Sequence, residues 1–190
     1  MRQAKMADER QKRRFAEVVL PHLDAALSLA RWLTGSLADG EDVVQEACIR
    51  AFGAIGTFRD GSPRAWVLSI VRNTAFSWLR KNRPKALVVT DDDSVFEAAG
   101  PAWLDGDTAQ GPEAILIAKA DAASLNAAIG ALPLNFKEIL VLREIDGLSY
   151  REIAEVVSLP IGTVMSRLSR ARKLLMGRIG RARQDEQGVA

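Results

Sequence analysis

The chain has 190 residues, 48% of them hydrophobic, and a formal net charge of +2. That is enough for one ordinary domain or two small ones with a core, while no apolar run approaches the roughly 18 residues of a membrane span. Lone Cys48 excludes an internal disulfide, no Cys/His cluster has zinc spacing, and the charged N-terminus lacks a signal-peptide core, so a soluble cytoplasmic protein without metal or cofactor is expected.

Met1 to Arg14 is polar and charge-rich, either frayed or a helix lead-in. From Phe15 the apolar positions Phe15, Val19, Leu23, Leu27, Ala30 and Leu33 keep helical spacing, and Pro21 kinks or restarts the helix. His22 has no partner that would make it a ligand. Gly35 to Gly40 reads as a turn. The segment from Asp39 to Ala47 then opens a second helix with Val43, Val44, Ala47, Cys48 and Ala51 as its apolar stripe. The acids Asp39, Glu41, Asp42 and Glu46 at its start fit two readings: favourable pairing with the helix N-terminus, or a docking patch for a basic partner. Gly53 to Gly61 is a loop containing Phe58, Arg59 and Asp60. Ser62-Pro63 caps and opens a third helix, reaching about Lys81. Trp66, Ile70, Asn73, Thr74 and Trp78 alternate there with Arg64, Arg72, Arg80, Lys81 and Arg83. Mixed aromatics and cations can stack on unpaired bases while holding phosphates, although a Trp at such a position is more often a core residue than a base platform.

Lys85 to about Ala118 is acidic and rich in Gly-Pro breaks, a linker by composition. Fully extended, its roughly 34 residues would reach on the order of 110 Å, and Trp103-Leu104 offers a small docking point. A second bundle begins at Lys119, with Ala122, Leu125, Ile129 and Leu132 on one stripe. Pro133 breaks that helix; Asn135, with Glu138 three residues on, caps the next, which carries Phe136, Ile139, Leu140 and Leu142 and ends at Gly147.

The stretch from Leu148 to Leu175 organises this half. Ser149-Tyr150-Arg151-Glu152 forms a capping box; Tyr150, Ile153, Ala154 and Val157 give the helix its buried face; Pro160 opens the next helix. In that helix Ile161, Val164, Leu168, Ala171 and Leu175 point inward, and Thr163, Ser166, Arg167, Arg170 and Lys173 form an acid-free opposite face. Two short helices with a basic outer face read as a helix-turn-helix. Ser158 holds the turn position often given to glycine. Arg178, Arg181 and Arg183 extend a basic tail.

At these residues the chain resembles the extracytoplasmic-function, or group 4, sigma factors of bacterial RNA polymerase. Two motifs carry the resemblance: Asp39-Gly40-Glu41-Asp42-Val43-Val44-Gln45-Glu46-Ala47, and the series Leu132-Pro133, Phe136 to Arg143, Gly147 to Tyr150, Glu152-Ile153-Ala154 and Gly162 to Leu168. It implies an all-α fold of two small helical domains: a lead-in at 1–14, region 2 at 15–84, the acidic linker at 85–118, region 4 at 119–183 and a tail at 184–190. It also implies roles. Asp42, Gln45 and Glu46 dock on the basic coiled coil of the polymerase β′ subunit. The loop from Phe58 through Arg59 to Pro63, with Trp66 and Asn73, captures a flipped base of the −10 element, and Arg72, Arg80, Lys81 and Arg83 hold phosphates nearby. Thr163, Ser166, Arg167, Arg170 and Lys173 face the −35 element in the major groove. Relatives often carry lysine where this chain has Met165, which removes one DNA contact. The linker threads into the polymerase channel, and an anti-sigma factor clamps the two regions together.

The implied mechanism is recognition and melting without covalent chemistry. Unstacking a base costs a few kcal/mol, base–aromatic stacking returns about 1–3 kcal/mol, and polymerase contacts supply the rest, so weak promoter binding by the free protein is expected. A sigma mimic that only sequesters an anti-sigma factor is the alternative; retention of Arg167, Arg170 and Lys173 argues against it. A transposase-like enzyme lacks its acid triad, metal spacing and phosphate loop here.

Overall fold

The computed structural model describes the backbone of residues 2–84 and 124–187, and the side chains of 8–84 and 124–180. The expected linker, Trp103-Leu104, Ala122 and the side chains of Arg181 and Arg183 lie outside these residues. Among the described residues every regular element is helical: α1 (Arg2–Val18), α2 (Leu23–Thr34), α3 (Leu37–Ala54) and α4 (Pro63–Asn82) in the first half, then α5 (described over 124–130), α6 (Leu134–Leu140), α7 (Tyr150–Val157) and α8 (Ile161–Gln187).

The first half is a bundle in which α2, α3 and α4 all pack against one another. Of the two readings of the N-terminal segment, frayed or a helix lead-in, the structure has the helix. Its α1 lies on the bundle because Phe15 meets Phe52 edge to face at 5.5 Å and Gln11 donates to the Phe52 carbonyl at 2.8 Å. Pro21 restarts the chain as expected, through a short 3-10 turn at Leu20–His22. The stripe of α2 is shifted, however: Ala26, Leu29, Ala30 and Leu33 are buried and Leu27 is only half-buried. The turn expected over Gly35 to Gly40 shrinks to Gly35-Ser36, since Gly35 (φ +73°) closes α2 and the Ser36 hydroxyl accepts from Asp39 N–H to open α3. Gly40 therefore sits inside α3, where a Cβ would come within 3.0 Å of the Arg31 backbone nitrogen. Its lack of a side chain is what lets α2 and α3 touch. In α3 the stripe is as expected, with Val43, Ala47 and Ala51 buried and Val44 and Cys48 half-buried; burial raises the Cys48 thiol above its usual pKa. Ser62 caps α4 by accepting from Ala65 N–H at 3.3 Å. The buried face of α4 is Ala65, Val67, Leu68, Val71, Thr74, Ala75 and Leu79, which leaves both Trp66 and Trp78 half-buried at its edge.

In the second half α6 and α7 both pack on α8. Leu125 is exposed, while Ile129 and Leu132 are buried as expected. The cap expected from Asn135 and Glu138 is not formed. Pro133 occupies the cap position, Asn135 Oδ1 accepts from the next residue's N–H, and the Glu138 side chain turns to Arg72 of the first bundle. A tertiary ion pair has displaced a local cap. After α6 the helix widens into a π turn at Val141–Ile145, and Gly147 (φ +67°) reverses the chain. The Ser149 capping box is complete: Ser149 Oγ accepts from Glu152 N–H at 3.2 Å, and Glu152 accepts from Ser149 N–H at 3.0 Å. Pro160 is one residue earlier than expected, at the cap rather than inside α8, with its carbonyl accepting from Val164 N–H at 3.1 Å. Ile161, expected to point inward, is exposed; Val164, Leu168 and Ala171 are buried.

The turn between α7 and α8 rests on Ser158, whose φ of 55° makes it the one non-glycine residue with positive φ among those described. A side chain in that conformation costs about 1–2 kcal/mol, partly offset by the greater freedom glycine has when unfolded. Ser158→Gly should therefore stabilise the protein by up to about 1 kcal/mol, read as a higher urea midpoint with unchanged slope.

Candidate nucleic-acid interface

Three surfaces carry the candidate residues. The first is the outward face of α3. Asp42, Gln45 and Glu46 are all exposed there, at the i, i+3, i+4 spacing that sets them side by side. Glu46 pairs along the helix with Arg50 at 2.8 Å. Asp39 leaves this group: its carboxylate receives Arg83 Nη2 at 3.2 Å. Ile49 continues the stripe one turn on and is 65% exposed, a large apolar side chain beside the acids that pattern reasoning passed over. Its signal was available, since it falls three residues after Glu46, opposite the buried Val43, Ala47 and Ala51.

The second surface surrounds the loop before α4. Phe58 lies against Trp66 at 5.3 Å between ring centroids, and Arg14 from α1 donates to the Phe58 carbonyl. Phe58, Asp60, Gly61, Ser62, Ala65, Trp66 and Ser69 line a cleft of about 180 Å³, with Glu155 of α7 closing one side. Two half-buried aromatics on a loop wall can stack on an unpaired base. Arg59, next to Phe58 in the chain, is exposed, as are Asn73, seven residues beyond Trp66, and Arg80 and Lys81 further along α4. Two other cations are engaged within the protein. Arg83 donates to the Thr34 carbonyl at 3.0 Å as well as to Asp39, and its guanidinium lies 5.6 Å from the Trp78 ring. It ties the end of α4 to the α2–α3 turn. Arg72 donates through Nε to Glu138 Oε2 at 2.7 Å and through Nη2 to Oε1 at 3.3 Å, and lies 4.2 Å over the Phe76 ring.

That pair belongs to a seam along which the second bundle covers part of this surface. Ser62 Oγ donates to Glu152 at 2.9 Å, and Arg64 donates to the Asp146 carbonyl. Glu138 is buried to 1% exposure and Asp146 to 8%. Burial raises the pKa of the Glu138 carboxyl, opposed by Arg72 and then by Arg167. One acid thus lies within the field of a cation from each candidate DNA surface. Burial also raises Asp146 from 3.8 to about 6, against Ser28 and Arg64, and its Oδ2 has no hydrogen-bond partner. Glu152 is held below the usual carboxylate range, chiefly by the Ser149 backbone N–H. Nearby His22 is lowered by burial and then by Arg64.

The third surface is α8. Ser166 and Lys173 are exposed, whereas Thr163, Arg167 and Arg170 are half-buried. The most exposed line along the first turns passes through Gly162, Met165, Ser166, Ser169 and Lys173, and Met165 is 52% exposed. Ser169 was not among the expected residues. Helical periodicity alone sets which side is buried and leaves the outer edge ambiguous by about one residue. Arg172 is bound to Glu144, at 3.0 Å through Nε. Among the described residues no group of three metal-ligating side chains occurs, and no helix is long and apolar enough to cross a membrane.

Comparison with known proteins matches residues 18–85 to sigma-70 region 2 and residues 122–175 to sigma-70 region 4. The RNA polymerase sigma-H factor of Pseudomonas aeruginosa is 36% identical over 167 residues, covering 86% of this chain and 85% of the relative. The ECF RNA polymerase sigma-E factor of Escherichia coli is 34% identical over 148 residues, 74% of each chain. Among solved structures, the sigma factor RpoE in complex with the anti-sigma factor NepR, from Bartonella quintana, superposes with a TM-score of 0.62 at 27% identity, covering 87% of this chain and 96% of that one. CnrH in complex with the cytosolic domain of CnrY gives 0.60 at 25% identity, covering 92% of each.

Proposed function

This chain belongs to the sigma-70 family of RNA polymerase sigma factors, in its ECF branch, and on that footing we propose how its three surfaces direct promoter-specific initiation. The α3 face, Asp42, Gln45 and Glu46 with Ile49 beside them, docks on a basic surface of core RNA polymerase. Phe58 and Trp66 flank the cleft that takes an unpaired −10 base, with Asn73 further along α4. Arg59, Arg80 and Lys81 hold phosphates around it, and Arg72 joins them once the seam has opened. Arg83 serves first as a tie between helices and only secondarily as a phosphate contact. The α8 face enters the major groove at the −35 element, where Ser166 and Lys173 stand outermost and Thr163, Arg167 and Arg170 flank them.

The observation that carries this reading is the division of labour between surfaces: an exposed acidic stripe with no cation of its own except Arg50, and an α8 face with cations and hydroxyls. Acids repel DNA and suit a basic protein partner, whereas the α8 face suits phosphates. The protein works in the cytoplasm, without cofactor or covalent catalysis, and binds promoters weakly when free. An anti-sigma factor is its regulator; support comes from the two solved neighbours named above, one of them explicitly bound to an anti-sigma factor. The test is binding to purified core polymerase. Asp42→Arg with Glu46→Arg, both at exposed positions, should weaken association at least about tenfold, as the loss of rim and central charge pairs does at other interfaces, while leaving the circular-dichroism melt unchanged. Unaltered association would remove α3 from the docking role.

A further inference from the structure

Resting on the reading of α8 as the groove-entering helix, we propose that Met165 selects an A·T pair within the −35 element by packing against the 5-methyl group of its thymine. The outermost edge of the first turns of α8 is electrically neutral. Gly162, Met165, Ser166 and Ser169 are exposed along it, while Arg167 and Arg170 are half-buried to the side. Met165 is 52% exposed, a large flexible apolar side chain at the centre of this edge. The edge is continuous with the cationic face, so a duplex drawn to those cations meets Met165.

The chemistry of the groove then identifies the partner. A base pair displays donors and acceptors in the major groove, and thymine adds a methyl group, which apolar side chains contact. A thioether cannot donate to a guanine edge and is at best a weak acceptor, so G·C pairs offer Met165 little. Its neighbour adds a contact without that discrimination. Ser166 Oγ donates to the Thr163 carbonyl at 3.0 Å, which leaves the oxygen as an acceptor toward DNA. That suits an amino group, which adenine and cytosine both present in the same groove. The discrimination between A·T and G·C therefore rests on Met165 and the thymine methyl group.

Holoenzyme reconstituted from core polymerase and the full chain would first select active promoters from a library randomised at −35. Each thymine of the selected element, on either strand, would then be replaced singly by deoxyuridine, which removes only the methyl group. At one position initiation should fall about fourfold, the equivalent of one buried methylene. Met165→Ala, at an exposed position, should make thymine and deoxyuridine equal there and leave sensitivity at other positions unchanged. A selected element with no A·T pair, a wild-type protein indifferent to deoxyuridine throughout, or a Met165→Ala protein that keeps the same sensitivity would each overturn the proposal. Absence of initiation on every template would overturn the sigma reading beneath it as well.

Discussion

Arg72→Ala should open the seam between the two bundles. Arg72 is the principal partner holding the Glu138 carboxylate against the rise in pKa that burial imposes, and its own side chain is only 19% exposed. Removing one member of a buried ion pair commonly costs about 3–5 kcal/mol, because the other charge remains desolvated. The closed arrangement can escape that penalty by separating, which returns Glu138 toward water. Further cross-seam bonds, Ser62 to Glu152, Arg64 to the Asp146 carbonyl and Ser28 to the Asp146 carboxylate, are single hydrogen bonds worth about 1–3 kcal/mol each. The variant should therefore show a larger radius of gyration by X-ray scattering and faster hydrogen exchange at α4 and α7, with helicity retained. A wild-type radius and unchanged exchange would mean that Arg72 does not hold the bundles together. The same contacts add a second reason to expect weak promoter binding by the free protein: Arg72 and Ser62 already have partners.

Asp146→Asn should have the opposite effect. Burial lifts the Asp146 carboxyl from 3.8 to about 6, against Ser28 of α2 and the Arg64 guanidinium. The folded state thus binds a proton more tightly than the unfolded chain. Its contribution is fully present below about pH 4 and is lost as pH rises from about 4 to about 6. A rise of that size corresponds to about 3 kcal/mol. Asparagine keeps the shape without the charge, so at pH 7.5 the variant should be more stable by about 2–3 kcal/mol. The wild type should gain stability between pH 7.5 and pH 5 in excess of any such gain in the variant. Equal denaturation midpoints for the two proteins at pH 7.5 would show that the carboxylate is not penalised where it sits. Because Asp146 touches Ser28 across the seam, the neutral side chain should also favour the closed form.

What could be read from the sequence divides along the range of the interaction. The Ser149–Glu152 capping box and the Ser62 cap were legible because cap and first turn are neighbours in the chain. So were the buried stripes of α3 and of α8 after its first turn, which depend only on helical period. The expected Asn135–Glu138 cap has the same local form, but Glu138 pairs with Arg72, 66 residues away. No local pattern reports such a competitor. Arg83 shows the same limit: a cation at a helix end reads as a phosphate ligand, and its bonds to Asp39 and the Thr34 carbonyl are not legible from the local pattern. The candidate surfaces themselves were legible in outline. Their edges were not: Ile49 extends the α3 stripe, and Met165 with Ser169, rather than the arginines, stands outermost on α8. A helical wheel fixes which side faces the core, while exposure of the remaining positions depends on how neighbouring helices lean.

The claim on which the rest depends is that the α8 face reads DNA on behalf of polymerase. Arg167 is a poor probe of it, since its charge lies near buried Glu138 and its loss would disturb the fold. Ser166→Glu with Lys173→Glu acts at exposed positions of the same face. In run-off transcription with core polymerase on a selected promoter, the double variant should lose promoter-dependent initiation by at least about a hundredfold, through lost phosphate contacts and added repulsion, while still binding core polymerase as tightly as the wild type. Initiation at the wild-type level from that promoter, by a variant confirmed to be folded and polymerase-bound, would contradict the account.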